Sequence, residues 1–293
     1  MTAHPPIGAR LQDVGVRYGA TAALDGATFD VRPGVITGLL GRNGSGKTTA
    51  LSLLASYRRP SSGRVMVGGR DPFEHAPTHA AVCLIRESGD FDTDDKVKDV
   101  LELWSSFRPA WDQRWAEELL DRFEVSTTRG LGKLSRGKRS VVGAVVGLAS
   151  RAPLTMFDEV HLGMDAPTRV AFYDLLVADY AAHPRTIVVS SHLISEIEHI
   201  LERVVVLDAG RVVADTTTDE LRSMGARLTG RADVVRAAAA DHRVLAEREL
   251  GPTAELTVVG LDDAARTDLA ARGIGVEPVG LQDIVIHLTG SPA

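Results

Sequence analysis

One cysteine, Cys83, occurs in 293 residues, and it sits inside the apolar run AAVCLI. Neither a disulfide framework nor a cysteine-bound metal is available, which fits a reducing compartment. Cys83 itself reads as a buried core residue. Long apolar runs are missing too: no charge-free stretch approaches the roughly 18 residues of a membrane helix. One of the longest, Ser140 to Ser150, has eleven. The opening MTAHPPIGAR lacks a positive patch followed by an apolar core, so no secretion signal is expected. Excess positive charge is absent as well. With a net charge of −6 and a pI near 5.9, bulk charge does not hold this chain to nucleic acid, and no nucleic-acid partner is expected. What is present is globular: 44% hydrophobic and 25% charged, enough to bury a sizeable core. The length predicts about two domains.

The pattern along the chain predicts the class. Leu11, Val14 and Val16, then Ala27, Phe29 and Val31, alternate with polar residues across Gly/Asp turns, as in an antiparallel strand layer. Val35 to Leu40 is a short apolar run of the buried parallel kind, followed by a glycine-rich loop and a helix from about Lys47 to Ser56. A strand is expected at Arg64 to Val67 and another at Val82 to Ile85. From Val97 to Val125 the spacing turns helical, with Trp104, Phe107, Trp111, Trp115, Leu119, Leu120 and Phe123, and Pro109 divides it into two helices. A helix follows from Ser135 to Ser150. Leu154 to Phe157, Thr186 to Ser190 and Val204 to Leu207 are apolar runs alternating with helices, which predicts a parallel α/β core. Beyond Thr216 to Gly225, strand-like pieces at Ala226 to Leu228, Arg243 to Ala246 and Glu255 to Val259 alternate with Ala-rich helices. That predicts a small α+β appendage over 223–293 behind a main domain over 1–222.

Two motifs carry chemistry. Gly41, Arg42, Asn43, Gly44, Ser45, Gly46, Lys47 and Thr48, with Thr49 behind them, fit G-x-x-x-x-G-K-[ST] between a buried strand and a helix. The glycines let backbone N–H groups curl round phosphate oxygens, and the helix start adds its positive dipole end. Lys47 can reach the β- and γ-phosphates of a nucleotide, and the Thr48 hydroxyl can ligate Mg²⁺. The second motif, Leu154 to Glu159, is an apolar strand ending in two carboxylates at the edge where parallel sheets bind ligands. Asp158 can hold the Mg²⁺ shell and Glu159 can accept a proton from an attacking water. Alone, an acidic pair is usually a solvated strand end; the phosphate loop makes it a candidate site.

Between these motifs lies Leu134-Ser135-Arg136-Gly137-Lys138, in the place of the signature LSGGQ of ABC proteins. With it, the chain resembles the ATP-binding subunits of ABC transporters over about residues 10 to 222. The resemblance implies a P-loop NTPase core of ABC type, with an antiparallel β subdomain and a helical subdomain. It implies ATP and Mg²⁺ as cofactors. Tyr18 then stands where an aromatic stacks on adenine, Asp165 lies in the D-loop, and His192 is the switch histidine. Ser135 and Gly137 would face the γ-phosphate held by a second subunit, in a homodimer or heterodimer. Taken singly, Tyr18 reads as a packing residue, His192 as a hydrogen-bonded histidine and Ser135 as a helix N-cap.

Departures from the family pattern stand beside the matches. Arg136 and Lys138 replace glycine and glutamine of the signature, adding two positive charges near the expected phosphate. Val160 replaces a proline. Counting back ten residues from Val97, Glu87 falls where glutamine is expected; a carboxylate there can ligate Mg²⁺ or position water, or be merely solvated. The glutamate in place of glutamine, the basic signature, the segment FRPAWDQRW and the appendage ending Leu281-Gln282-Asp283-Ile284 resemble the drug- and antibiotic-export branch. The implied function is an ATP hydrolase that powers a separate transmembrane permease from the cytoplasmic face of the membrane, docked through the aromatic-rich Trp104 to Phe123 segment. A soluble ABC ATPase without a membrane partner is the alternative, as is a degenerate, weakly hydrolysing subunit of a heterodimer.

Overall fold

The computed structural model describes residues 5–87 and 91–290. Contacts divide the chain into two compact units, Met1–His192 with Val205–Asp215, and Leu193–Val204 with Thr216–Ala293. Relative to a boundary at 222, the second unit takes up 193–204 and begins its main run at Thr216.

The first unit opens with the antiparallel strands β1 (Ala9–Tyr18) and β2 (Thr21–Val31), followed by β3 (Ile36–Leu40) and helix α1 (Lys47–Leu54). Strand β4 (Ser62–Val67) closes a three-stranded antiparallel sheet of order β2-β1-β4. Its alternation works as expected, with Leu11, Val14, Val16, Ala27, Phe29 and Val31 all in the core. Next come α2 (Ala76–Ala81), β5 (Val82–Arg86), α3 (Val97–Phe107), α4 (Gln113–Arg122), α5 (Arg136–Ser150), β6 (Leu154–Asp158), α6 (Ala166–Ala182) and β7 (Thr186–Ser191). After a short helix α7 (Ile194–Ile197), assigned to the second unit, come β8 (Arg203–Asp208) and β9 (Arg211–Thr217). The six-stranded sheet has the order β5-β6-β7-β3-β8-β9, and β5, β6, β7 and β3 run parallel. Strands β8 and β9 are joined by Ala209 and Gly210, whose φ values of 45° and 81° suit a tight hairpin turn.

Parallel strands covered on both faces are apolar throughout, and every residue of β3, β6 and β7 is buried. Helix α5 is buried from Ser140 to its end. It lies close on the sheet because Gly147 has no side chain: a Cβ there would stand 2.4 Å from Phe157 Cε1. Helix α3 is amphipathic, burying Val97, Val100 and Leu101 while leaving Leu103 and Phe107 exposed. The break expected at Pro109 is present, and Asp112 restarts the chain by accepting the Trp115 N–H as N-cap of α4. Cys83 is buried, and burial raises its thiol pKa.

In the second unit, α8 (Thr218–Ser223) starts from a capping box of Thr217 and Glu220. Then follow β10 (Gly225–Arg231), α9 (Ala232–Ala238), β11 (Arg243–Leu250), β12 (Thr253–Val259), α10 (Asp263–Ala271), β13 (Gly275–Pro278) and α11 (Leu281–Leu288). The sheet order β11-β12-β10-β13, antiparallel at each pairing, is the split β-α-β arrangement in which a hairpin strand separates the first parallel pair. Its core joins Ala226 and Leu228 of β10 and Leu256 and Val258 of β12 to Val235 and Leu269 of the helices. Helix α11, which no sequence pattern predicted, has its Leu281 N–H bonded to the Glu198 carboxylate at 2.8 Å.

Candidate functional site

The loop between β3 and α1 is wedged where only glycine fits. Gly41 has φ 146°, and a Cβ on it would lie 2.2 Å from Leu207 O; at Gly46, with φ 105°, it would lie 2.5 Å from Ala23 O. The Ser45 N–H closes a turn on Arg42 O at 3.1 Å. Helix α1 then begins with neither a side-chain cap nor an acidic first turn. Its leading N–H groups, with their dipole, are therefore available to an anion. Lys47 is only 5% exposed and folds back over the loop, with Nζ donating to Gly41 O at 2.8 Å and Arg42 O at 3.2 Å. Thr48 is exposed and Thr49 is buried behind it.

Register brings the acidic pair to this loop. Leu40 pairs with Ser191 across β3 and β7, and Ser190 pairs with Asp158 across β7 and β6, so three strand ends lie side by side. Asp158 is buried, and the Ser190 hydroxyl donates to its Oδ1. That same hydroxyl accepts the Glu159 N–H at 3.1 Å. Glu159 adopts φ 53°, a left-handed conformation that turns the chain sharply off the strand. Its carboxylate takes Lys47 Nζ on Oε1 at 3.2 Å and His192 Nδ1 on Oε2 at 3.0 Å. Lys47, Glu159 and His192, drawn from three separate segments, thus form one contact chain with the phosphate loop.

The remaining sequence candidates have partners of their own. Ser135 caps α5 by accepting the Lys138 N–H at 3.2 Å. Gly137 allows that helix start to touch the turn after β6, since a Cβ would lie 2.7 Å from Gly163 O. Asp165 caps α6, and its hydrogen bonds from the Thr168 side chain and N–H lower its pKa. Tyr18 is exposed, with the Arg58 guanidinium over its ring at 4.2 Å. Glu87 is ion-paired with Arg136, and Lys138 Nζ donates to Phe123 O at the end of α4. The two extra charges of the signature are therefore held by a carboxylate and a helix C-terminus within this chain. Of the aromatic segment, Phe107 is exposed, whereas Phe123 is buried.

Two participants were missed in the sequence. Ser190 links Asp158 to the Glu159 backbone, and its position at the strand end two residues before His192 was the available signal. His161 is fully buried, with Nε2 3.2 Å from Ser191 Oγ and 3.7 Å from Glu159 Oε2. Burial, helped by His192 and Arg169, lowers its pKa to about 4, so the ring is neutral near pH 7.

The protein-family model described as ABC transporter matches residues 24–161, which include the loop and the acidic pair. The daunorubicin resistance ATP-binding protein DrrA2 of Streptomyces coeruleorubidus is 31% identical over 301 residues, covering 94% of this chain and 92% of that protein. The chain belongs to the ABC transporter ATP-binding proteins. Members of this family bind ATP, dimerise and hydrolyse ATP to power transport. The mycobactin import ATP-binding/permease protein IrtB of Mycolicibacterium thermoresistibile is 36% identical over 230 residues, but the chain spans only 38% of its length. In fold, an ATP-binding subunit of an ABC transporter superposes with a TM-score of 0.65 at 24% identity, over 73% of this chain and 91% of that one. A dimeric bacterial ABC transporter cassette gives 0.64 at 20% identity, over 72% and 98%. Among the described residues, no helix is long and apolar enough to cross a membrane.

Proposed function

We propose that this chain is the ATP-hydrolysing subunit of an exporter whose membrane-spanning permease is a separate chain, acting at the cytoplasmic face of the membrane. The observation that carries this reading is the chain of contacts from the phosphate loop through Lys47 to Glu159 and His192. ATP phosphates would displace the two carbonyls and the carboxylate that now hold Lys47, since its charge is better matched by a triphosphate. Asn43, Gly44 and Ser45 complete the backbone cradle, and Tyr18 offers an exposed ring to adenine.

The donor set fits Mg²⁺. Thr48 and Asp158 supply one hydroxyl and one carboxylate, both hard oxygens, and among the described residues there is no cluster of three or more His, Cys, Asp or Glu. Mg²⁺ usually takes few protein ligands and completes its shell with water and phosphate. Thr48 and Asp158, with Glu87 as a further candidate, would hold the ion, which supplies charge neutralisation at the β- and γ-phosphates. Glu159 accepts a proton from water as the water oxygen attacks the γ-phosphorus, the β–γ bridging bond breaks and ADP leaves. His192 senses the γ-phosphate while holding the Glu159 carboxylate.

Two copies would sandwich two nucleotides, Ser135 and Gly137 of one opposite the phosphate loop of the other, with Asp165 nearby. Closure and release then bias a two-state permease. The exposed Leu103 and Phe107 of α3 support a docking face for it. Similarity to daunorubicin resistance proteins along nearly the whole chain supports export. Copurification with a polytopic membrane protein, and ATP turnover that Glu159→Gln slows by orders of magnitude while ATP binding persists, test this reading. Normal turnover by Glu159→Gln would sink it. A second reading, a weakly hydrolysing partner of a more competent paralogue, is favoured by the Arg136–Glu87 pair, which joins two of the departures from the family motifs. Negligible turnover by the purified chain, restored on mixing with a paralogue, would select it.

A further inference from the structure

Three side-chain nitrogens lie within 4 Å of the Glu159 carboxylate: Lys47 Nζ at 3.2 Å, His192 Nδ1 at 3.0 Å and His161 Nε2 at 3.7 Å. Lys47 is expected to turn to the phosphates, and the half-buried His192 to the γ-phosphate. His161 does neither: it is fully buried, beside the Tyr173 ring with centroids 6.2 Å apart. Its Nδ1 is buried without a hydrogen-bond partner, while Nε2 lies beside Ser191 Oγ and Glu159 Oε2. Leaving a bare acceptor unpaired is less unfavourable than burying an unpaired N–H, so the tautomer is Nε2–H, which donates to Ser191 Oγ at 3.2 Å and leaves Glu159 Oε2 3.7 Å away, in contact with the ring but beyond hydrogen-bond reach.

We infer that His161 is a positioning residue that keeps the Glu159 carboxylate aimed at the attacking water after Lys47 has turned away. The inference rests on the reading of Glu159 as the general base. The backbone supports it. The Leu162 N–H bonds to Glu159 O at 3.1 Å and the Met164 N–H to His161 O at 2.9 Å, so the turn that carries His161 also fixes Glu159. A neutral ring, held by its bond to Ser191 and packed against the carboxylate, limits the swing of that carboxylate without the full positive charge that would weaken it as a base. The lowered pKa of His161 agrees with that role.

The test compares ATP turnover and ATP affinity of the full chain in His161→Leu, His161→Gln, His161→Asn, Glu159→Gln and the His161→Leu/Glu159→Gln double variant. Misaiming a catalytic group lowers turnover by roughly tenfold to a hundredfold. That loss is expected for His161→Leu and His161→Asn, with ATP affinity within about twofold of the parent. Gln places an amide donor near the position of Nε2, where it keeps the bond to Ser191, and should recover most of the activity. In the Glu159→Gln background, His161→Leu should add nothing, because the group it positions is gone. Parental turnover in His161→Leu, equal turnover in the Gln and Asn variants, or a full further loss in the double variant would overturn the inference. If His161→Leu does not fold, the Gln and Asn comparison decides alone. Parental turnover in Glu159→Gln is a different failure: it removes the base itself, whatever the His161 variants do.

Discussion

Arg136 and Glu87, 49 positions apart, are ion-paired. Each stands where the resemblance leads one to expect an uncharged residue, and the two departures, unrelated along the chain, meet in space. Both side chains are well exposed, at 65% and 35%, and exposed pairs contribute at most about 1 kcal/mol. In urea denaturation, Arg136→Gly and Glu87→Gln should therefore each shift stability by less than about 1 kcal/mol. The larger effect is expected on the metal. Arg136→Gly leaves the Glu87 carboxylate without its counterion and should lower the Mg²⁺ concentration for half-maximal turnover, whereas Glu87→Gln should raise it. A Mg²⁺ titration of ATP turnover checks both directions; no change in either variant would remove Glu87 from the site.

Gly147 gives a stability test outside the nucleotide site. A methyl group there would meet Phe157 Cε1 at 2.4 Å and Cζ at 2.8 Å. The ring has little freedom to move, being fully buried and packed edge-on to Phe172 at 5.4 Å. Overpacking of this kind destabilises by about 1–3 kcal/mol. Gly147→Ala should lower the urea midpoint accordingly and leave ATP affinity unchanged. An unchanged midpoint would mean that α5 is free to lift from the sheet.

The elements that were legible are those whose pattern is local. Period-two alternation exposed β1 and β2, continuous apolar runs exposed β3, β6 and β7, and glycines flanking Lys47 exposed the loop. The short strand β13 and helix α11 were not read: Gly275 to Pro278 carries a single apolar side chain and no alternation long enough to count. The site divides the same way. Lys47, Asp158, Glu159 and His192 sit in recognisable strings. His161 carries no motif of its own and acquires meaning only when Ser191 and Glu159 close around it. The Arg136–Glu87 pair joins two loops, a relationship no window of sequence contains.

A buried charge cluster at Asp179 predicts a large loss. Its carboxylate, 2% exposed, meets Arg185 at 2.7 Å and Arg151 at 3.2 Å, and Arg151 also reaches Asp112 at 3.1 Å. Removing one member of a buried pair strands the others and costs about 3–5 kcal/mol. Asp179→Ala should therefore unfold at far lower urea or fail to accumulate, and Arg185→Leu in that background should recover part of the loss by removing the stranded charge, since Arg151 keeps Asp112. A Asp179→Ala variant as stable as the parent would show that water reaches both arginines.

His161 also makes acid stability a measurable quantity. Its ordinary pKa of 6.5 applies to the unfolded chain, while burial lowers the folded value to about 4. Above pH 6.5 neither state carries the proton, and the residue has no effect on the balance. As pH falls below 6.5 the unfolded chain binds a proton that the folded one refuses, so stability declines by up to about 1.4 kcal/mol per pH unit. The decline ends near pH 4, where the folded ring protonates too, at a total of roughly 3 kcal/mol. Other groups titrate over the same range, so the informative quantity is the difference between the parent and His161→Gln, measured by urea denaturation from pH 7 to pH 4. The variant should lose less stability than the parent across that window, and the two curves should run parallel above pH 6.5. Parallel curves throughout would mean that His161 accepts its proton in the folded chain as readily as in water, and the buried neutral donor beside Glu159 would have to be abandoned.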